Sequence, residues 1–556
     1  MRVLGISANY HDSAAALIVN GRIVFAAAEE RFSRVKHDNA FPRRAVEACL
    51  AQEGLAMRDI DAVAYYEKPL HKFERILETF AATYPFSLRP FVAGMPEWLS
   101  IKITIEKEIR SLGFEGKVYF IPHHLSHAAF AFYPSPFEDA AILTVDGVGE
   151  YETTALWRGN GTTITQIASL HFPHSLGLLY STLTAFLGFR VNDDEYKVMG
   201  LAGHGKPVFH ELARLVTLRD DGSFELNLEY FAFRESFCMW SPKLEALLGP
   251  PRDPVGEITE RHRDIAASLQ SLAEEIYMRL LRRLHTVTGC SRVCIGGGVA
   301  QNATANKKIY VETPFTDAFI PGAAGDDGAA AGAALYAYHA IAGNTVRVPL
   351  DSLSLGTTYD TDAIGAELKK RSLRFTQHPE DELVRITAQL LTEGKILGWF
   401  QDAMEFGPRA LGQRSIIADP RRPEMRKRLN AIKDRHDFHP FAGSILAERA
   451  RDYFDMPDIR SPFMTTCFPV RAEKCAELAA IIHADGTCRI QTVTQAASHW
   501  HALISEFGRE TETPCILNTS FNGKGEPIVE HPSQAIDAFL RMGLDALIIG
   551  DFLVHP

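Results

Sequence analysis

Arg2-Val3-Leu4-Gly5-Ile6-Ser7 and Ala14-Ala15-Ala16-Leu17-Ile18-Val19 flank a small polar turn, and Asn20-Gly21 then leads into Arg22-Ile23-Val24-Phe25. Short apolar runs split by an Asn-Gly pair read as strands joined by a tight hairpin, because such a turn needs positive φ at its centre. The same grammar returns at Ala140-Ala141-Ile142-Leu143-Thr144-Val145. The acidic glycine turn Asp146-Gly147-Val148-Gly149 follows, then Thr153-Thr154-Ala155-Leu156-Trp157 and Asn160-Gly161. Two copies of one strand–turn–strand unit predict a duplicated α/β core with a ligand cleft between its halves.

That organisation is the one found in the actin-like, sugar-kinase-type ATPase fold. Downstream, Ile265, Leu269, Leu272, Ile276, Leu280 and Leu284 form one stripe, predicting an amphipathic helix over about 263–285. Strand 292–295 then meets the turn Gly296-Gly297-Gly298, with Val299-Ala300-Gln301-Asn302 opening another helix. Glycines there would let backbone N–H groups approach an anion; tight packing explains the triplet about as well. A small-residue helix is predicted over 328–340, and the turn-rich stretch 343–359 reads as a boundary. Two domains result, 1–350 and 351–556, the second again α/β.

Composition bounds the function. A chain of 556 residues exceeds one hydrophobic core, and 46% hydrophobic with 23% charged residues is ordinary for a soluble protein. A net charge of −11 argues against a broad nucleic-acid surface. The first residues do not read as a signal peptide, and no apolar stretch is long enough for a bilayer. Eight scattered cysteines suit reduced thiols in a cytoplasm. Gly200-Leu201-Ala202-Gly203-His204-Gly205-Lys206 has phosphate-loop spacing, but Pro207 replaces the hydroxyl that would meet magnesium, so that reading is rejected.

Three segments carry chemistry in the first domain. His123 and His127 are four residues apart and share a helix face; Asp326 lies in Gly325-Asp326-Asp327-Gly328; His11-Asp12 closes the first turn. Two imidazoles and one distant carboxylate leave positions open on a divalent metal, as catalytic sites require. A pair of core histidines is the bland alternative for the helix spacing alone. In the second domain, nine basic residues but only three acids fall between Arg409 and Arg435, which implies an anionic ligand. Arg409 and Arg414, in a Gly/Pro-flanked loop, are the candidates for forked phosphate contacts, whereas Arg426–Arg428 reads as a solvated face. His483–Thr492 and Asn518-Thr519-Ser520-Phe521-Asn522 add donors near strand ends.

Taken together, His11–Ala15, Glu29–His37, His123–Ala129, Glu195–Ala202, Gly325–Gly328, Gly407–Ser415 and Asn518–Asn522 resemble the O-carbamoyltransferase family of nodulation-factor and antibiotic-tailoring enzymes (NodU/TobZ type). The resemblance spans essentially the whole chain. It implies a TsaD-like first domain on the actin-like core and a YrdC-like twisted α/β sheet domain after it. It further implies ATP-dependent formation of carbamoyl-adenylate from carbamoyl phosphate, then transfer to a hydroxyl of a small natural product or sugar. In those terms His123, His127 and Asp326 hold a divalent metal, iron in this family. His11 is the base for the acceptor hydroxyl, Lys36 meets phosphate or the transferring group, and Asp146 lies where a nucleotide or acceptor approaches. Gly297, Gly298 and Asn302 fall at the nucleotide site of the first domain. Arg409, Lys433, His439, Arg489, Asn518 and Ser520 bind carbamoyl phosphate and ATP with its Mg ion.

One departure stands out. Where the family reads Arg-Pro-Phe-Ala-Pro, this chain has His439-Pro440-Phe441-Ala442-Gly443. A shorter, titratable contact predicts weaker carbamoyl phosphate binding that declines as pH rises, and Gly443 predicts a looser turn. Competing functions are a small-molecule kinase, which leaves the second anion site unexplained, and threonylcarbamoyl-type tRNA modification, which the acidic balance disfavours. The acceptor is not readable; the aromatic run Tyr230, Phe231, Phe233, Phe237, Trp240 suits packing better than sugar stacking. No membrane or nucleic-acid partner is expected, and a homodimer is implied only at family level.

Overall fold

The predicted β1 forms over Arg2–Ser7 and is paired antiparallel with β2 (Ala14–Val19), register Arg2 to Val19 through Ser7 to Ala14. β3 (Arg22–Ala28), β4 (Ala62–Tyr65) and β5 (Lys117–Phe120) complete a five-stranded sheet of order β3-β2-β1-β4-β5. Asn20 and Gly21 both take the positive φ that the hairpin requires, at 51° and 84°. The second sheet repeats the first. β6 (Asp139–Val145), β7 (Glu152–Asn160) and β8 (Thr163–His171) run antiparallel. After a small hairpin of β9 (Val216–Leu218) and β10 (Phe224–Leu226), β11 (Arg292–Gly296) joins β6 in parallel and β12 (Asp317–Phe319) joins β11. Its order, β12-β11-β6-β7-β8, is the same topology traced twice, the duplicated actin-like α/β core.

The computed structural model describes residues 1–556, which divide into two units. The first holds 1–24, 39–46 and 54–350; the second holds 25–38, 47–53 and 351–556. In the first, the helix Asp326–Tyr336 packs backbone to backbone on β1 and on the helix His123–Phe132. A Cβ on Gly328 would sit 1.8 Å from the Ala323 carbonyl oxygen, one on Gly332 1.9 Å from that of Ser126, and one on Gly5 1.9 Å from that of Ala330. This run of small residues is therefore a close-approach surface, not weak helix composition. The long helix extends to Glu260–Thr288, capped by Gly289 in the left-handed region.

The second unit is one mixed sheet of nine strands, β13 (Phe375–Gln377), β14 (Leu397–Phe400), β15 (Arg414–Ala418), β16 (Ala442–Leu446), β17 (Cys467–Pro469), β18 (Thr487–Val493), β19 (Cys515–Ser520), β20 (Ala546–Ile549) and β21 (Phe552–Val554). They lie in the order β13-β21-β20-β14-β15-β19-β16-β18-β17. Trp399, Ile417, Trp500, Phe507 and Ile548 are at its core. The segment 29–37 is knitted into this unit: Arg31 donates to the Gly407 carbonyl at 2.6 Å, and Arg34 to those of Pro527 and Ile528, each at 2.7 Å. No helix is long and apolar enough to cross a membrane, and all eight cysteines are free thiols.

Three local expectations change. The helix expected to open at Val299 forms in two short pieces, a 3-10 turn, Gly298–Gln301, and a four-residue helix, Ala303–Asn306. Gly443 loosens no turn, because it lies inside β16, where a Cβ would meet Ile481 Cδ1 at 2.7 Å and Cys515 Sγ at 3.0 Å. The Arg426–Arg428 face is not simply solvated: Arg426 donates to the Ala480 and Ala479 carbonyls and Arg428 to that of Gly394.

Candidate metal centre and anion site

The helix His123–Phe132 begins directly after Pro122, and the Glu150 carboxylate accepts the His123 N–H at 3.0 Å, an acid at a helix N-terminus. Its first turn aims both imidazoles at one point: His123 Nε2 and His127 Nε2 are 3.1 Å apart. Asp146, at the end of β6, puts Oδ2 3.0 Å from the first nitrogen and 2.9 Å from the second. Asp326 opens its helix with Oδ1 3.3 Å from His127 Nε2 and 3.7 Å from His123 Nε2. Gly149 makes room, since a Cβ there would meet His123 and His124 ring or β-carbons at 3.0–3.1 Å.

Two nitrogens and two carboxylates, all buried, thus offer ligand atoms within 4.8 Å of one another. Two ring nitrogens and a shared carboxylate oxygen, all within 3.1 Å of one another, turn their lone pairs toward one point. The buried Asp326 Oδ2 also has no hydrogen-bond partner in the chain. This donor set fits a divalent cation, with mixed nitrogen and oxygen ligands. Its electrostatics agree. Burial would raise Asp146, but the His123 and His127 rings hold it well below the ordinary carboxylate value, and Asp326 is lowered by His11, His123 and His127 against the same burial. Burial pulls His127 down, yet Asp146 and Asp326 hold it up at about 10. His124, buried beside His123, is pushed down to about 3 and rests against Thr144 Oγ1 at 2.8 Å.

His11 stands next to this cluster. Its Nδ1 is 3.0 Å from Asp12 Oδ2 and its Nε2 3.9 Å from Asp326 Oδ2. Burial opposes its charge, but Asp326 and Asp12 raise it to about 9. Gly297, with φ of 92°, lies where a Cβ would strike the Val145 carbonyl at 2.2 Å, and a Cβ on Gly298 would be 3.3 Å from Asp146 Oδ1. Both glycines therefore border the centre. Asn302 is spoken for internally: it caps the next helix through Ala305 N and exchanges two amide hydrogen bonds with Gln270. Lys36 belongs to the second unit, so the structure does not group it with His11 and Asp146.

In the second unit, the excess of positive charge is mostly structural. Arg414 is fully buried over the Phe400 ring and spends its Nη donors on the carbonyls of Gln401, Asp402, Gln413 and Thr357, which removes it as a phosphate fork. Arg421 pairs with Asp419, and Arg422 donates to Thr392. Lys433, with no exposed surface, reaches the carbonyls of Ser520 at 2.5 Å and Asn522 at 2.9 Å; burial and nearby Arg435 hold it well below the usual lysine value. Asn518 and Ser520 alternate onto one face of β19, and Arg489 lies on β18 with its Nε unpartnered and its charge disfavoured by burial. Ser520 Oγ donates to Asn522 Oδ1 at 2.7 Å. Arg409 is half-buried beside Ala410, whose carbonyl accepts Asn518 Nδ2. His439 is buried, its Nδ1 3.0 Å from the His436 carbonyl. Lys433 and Ser520 are thus in contact, and Arg409 is next in sequence to Asn518's partner.

Sequence reading missed Asp146 as part of the donor set, Glu150 behind His123, and Ser444 and Gln491 beside Asn518. Asp146 left a signal, as the carboxylate of an acidic glycine turn, and Gln491 lay within the donor-rich stretch His483–Thr492.

Comparisons with known proteins agree along the whole length. The carbamoyltransferase N-terminus family model matches residues 2–335, and the carbamoyltransferase C-terminus model matches 388–555. An uncharacterized protein of Synechocystis sp. is 42% identical across 99% of this chain and 96% of its own length. The nodulation protein NolNO of Sinorhizobium fredii is 36% identical, covering 98% of this chain and 79% of that protein. Nodulation protein U of Rhizobium fredii is 28% identical over 94% and 90% of the two chains.

Proposed function

The chain belongs to the carbamoyltransferase family, and from that premise we propose that it activates carbamoyl phosphate with ATP and delivers the carbamoyl group to a hydroxyl of a small acceptor. The observation that carries this reading is the buried convergence of His123, His127, Asp146 and Asp326 beside His11.

In the second unit, Arg409, Lys433, His439, Arg489, Asn518 and Ser520 would hold carbamoyl phosphate and the phosphates of MgATP. Loss of phosphate to water leaves carbamate. A carbamate oxygen then attacks the α-phosphorus and pyrophosphate departs, giving carbamoyl-adenylate. Burial protects this labile anhydride from water.

In the first unit, His11 takes the proton of the acceptor hydroxyl as its oxygen bonds to the carbamoyl carbon. The bond from that carbon to the AMP oxygen breaks, and AMP leaves. The backbone at Gly297 and Gly298 would seat the nucleotide, with Asn302 fixing the turn behind it. His123, His127, Asp146 and Asp326 would ligate the cation. When bound, a divalent cation would supply Lewis acidity at the transferring carbonyl and cancel the carboxylate field that keeps His11 protonated. Lys36 would contact phosphate in the second unit.

Label transfer tests this reading: carbon-labelled carbamoyl phosphate, ATP and the purified chain are incubated with a panel of hydroxylated natural products and oligosaccharides, with bulk tRNA as a parallel arm. Label should appear in a small acceptor as an O-carbamate; label in tRNA instead would overturn the small-acceptor assignment.

Two substitutions refine the site. Asp146→Asn is expected to lower cation affinity by at least about tenfold, measured by calorimetry, because the shared ligand oxygen becomes part of a neutral amide. Unchanged affinity would return Asp146 to a role outside the donor set. His439→Arg is expected to tighten carbamoyl phosphate binding several-fold by supplying a permanent fork, seen as a lower KM at fixed ATP. A higher KM would show that the bond from His439 to the His436 carbonyl matters more.

A further inference from the structure

A chain of obligate donors and acceptors in the second unit fixes the orientation of Asn518. Trp500 Nε1 can only donate, and it lies 3.3 Å from the Gln491 oxygen. The Leu411 carbonyl can only accept, and it takes Gln491 Nε2 at 2.8 Å, so the Gln491 amide has one permitted orientation. Its Oε1 receives the Ser444 hydroxyl proton at 2.7 Å. With that proton committed, Ser444 Oγ can only accept from Asn518, whose Nδ2 is 3.1 Å away. The Ala410 carbonyl accepts from the same Nδ2 at 3.3 Å. All four side chains are buried: Ser444 and Trp500 at 0%, Asn518 at 1% and Gln491 at 6% exposure.

Both Asn518 N–H groups are therefore used, and the orientation is set from both ends of the network. What remains is Asn518 Oδ1, buried and without a hydrogen-bond partner in the chain. A buried amide oxygen left unpaired costs stability unless a ligand completes it. It cannot serve a phosphate, because an acceptor facing an anionic oxygen is repulsive.

Resting on the carbamoyl phosphate reading above, we propose that Asn518 Oδ1 is the acceptor for the carbamoyl –NH2 group, and that Ser444 and Gln491 are positioning residues that hold it in that orientation. Asn518 then does not bind phosphate. It is the element that selects a carbamoyl from an acetyl group, and Arg409 and Arg489 supply the cationic contacts.

The test compares two stable phosphonates that differ only in the group of interest, phosphonoacetamide, which carries –NH2, and 2-oxopropylphosphonate, which carries methyl there. Calorimetry on the full chain should give tighter binding of the amide by about tenfold or more, since the methyl leaves Oδ1 unpaired. Asn518→Ala should bring the two affinities to near equality while circular dichroism and melting report an intact fold. Ser444→Ala, which keeps the Ala410 contact, should give an intermediate ratio and serves alone if Asn518→Ala does not fold. A parallel arm compares ATP with purine riboside triphosphate, which lacks the adenine amino group. Equal binding of both phosphonates by the native chain would overturn the proposal and leave the carbamoyl phosphate site standing, as would a ratio that the variants do not move. A change in preference between the nucleotides, with the phosphonate ratio kept, would assign Oδ1 to adenine and overturn it too. Failure of the chain to bind either phosphonate would remove the carbamoyl phosphate reading itself.

Discussion

His127→Ala is expected to abolish carbamoyl transfer to an acceptor, by roughly a thousandfold or more, while carbamoyl-phosphate-dependent consumption of ATP continues. The imidazole is one of two nitrogens in the donor set, and its Nε2 lies within 3.3 Å of His123, Asp146 and Asp326 atoms. Removing it leaves two carboxylates facing each other with a single ring between them. Cation content by elemental analysis should fall with activity. Substitution of His124, one residue on, separates liganding from packing: its ring bonds Thr144 instead and is no part of the donor set. Loss of ATP consumption as well would mean that the two half-reactions are not divided between the units as proposed.

The second large effect is steric. Gly328→Ala should destabilise the first unit by about 3 kcal/mol or more, beyond ordinary overpacking, because the new Cβ meets a main-chain oxygen rather than a side chain that can turn away. Ala323 O would be 1.8 Å distant and the Phe130 ring carbons 2.6 Å. Relief requires the loop at Ala323, three residues before Asp326, and the Phe130 ring of the helix His123–Phe132 to give way, and that displacement carries Asp326 away from the histidines. Denaturant melting followed by cation titration checks both consequences. A stable variant with full cation affinity would show that the helix contact does not position the site.

These two cases also mark what a sequence can and cannot disclose here. Strand units repeat visibly because each is bounded by Asn-Gly or Asp-Gly, and the glycine requirement is local. His123 and His127 are legible for the same reason, since spacing on one helix determines their common face. Asp326 was grouped with them from its acidic glycine turn, although nothing local links it to a helix two hundred residues earlier, and the family resemblance supplied the same ligand set. Asp146 was placed beside the centre but not within it; the packing of the histidine helix on β6 brings its carboxylate onto both rings. The basic run from Arg409 to Arg435 misled most. Count and spacing cannot tell a guanidinium that binds ligand from one, such as Arg414, that holds four main-chain carbonyls. The assignment of 25–38 to the second unit has no signature in composition at all, as it depends on Arg31 and Arg34 finding carbonyls about four or five hundred residues away.

The most direct test of the account follows the nucleotide products of the purified chain given ATP, Mg, carbamoyl phosphate and a divalent cation. AMP and pyrophosphate are expected in equal amounts, formed only when carbamoyl phosphate is present. ADP as the product, or AMP formed equally well without carbamoyl phosphate, would contradict it.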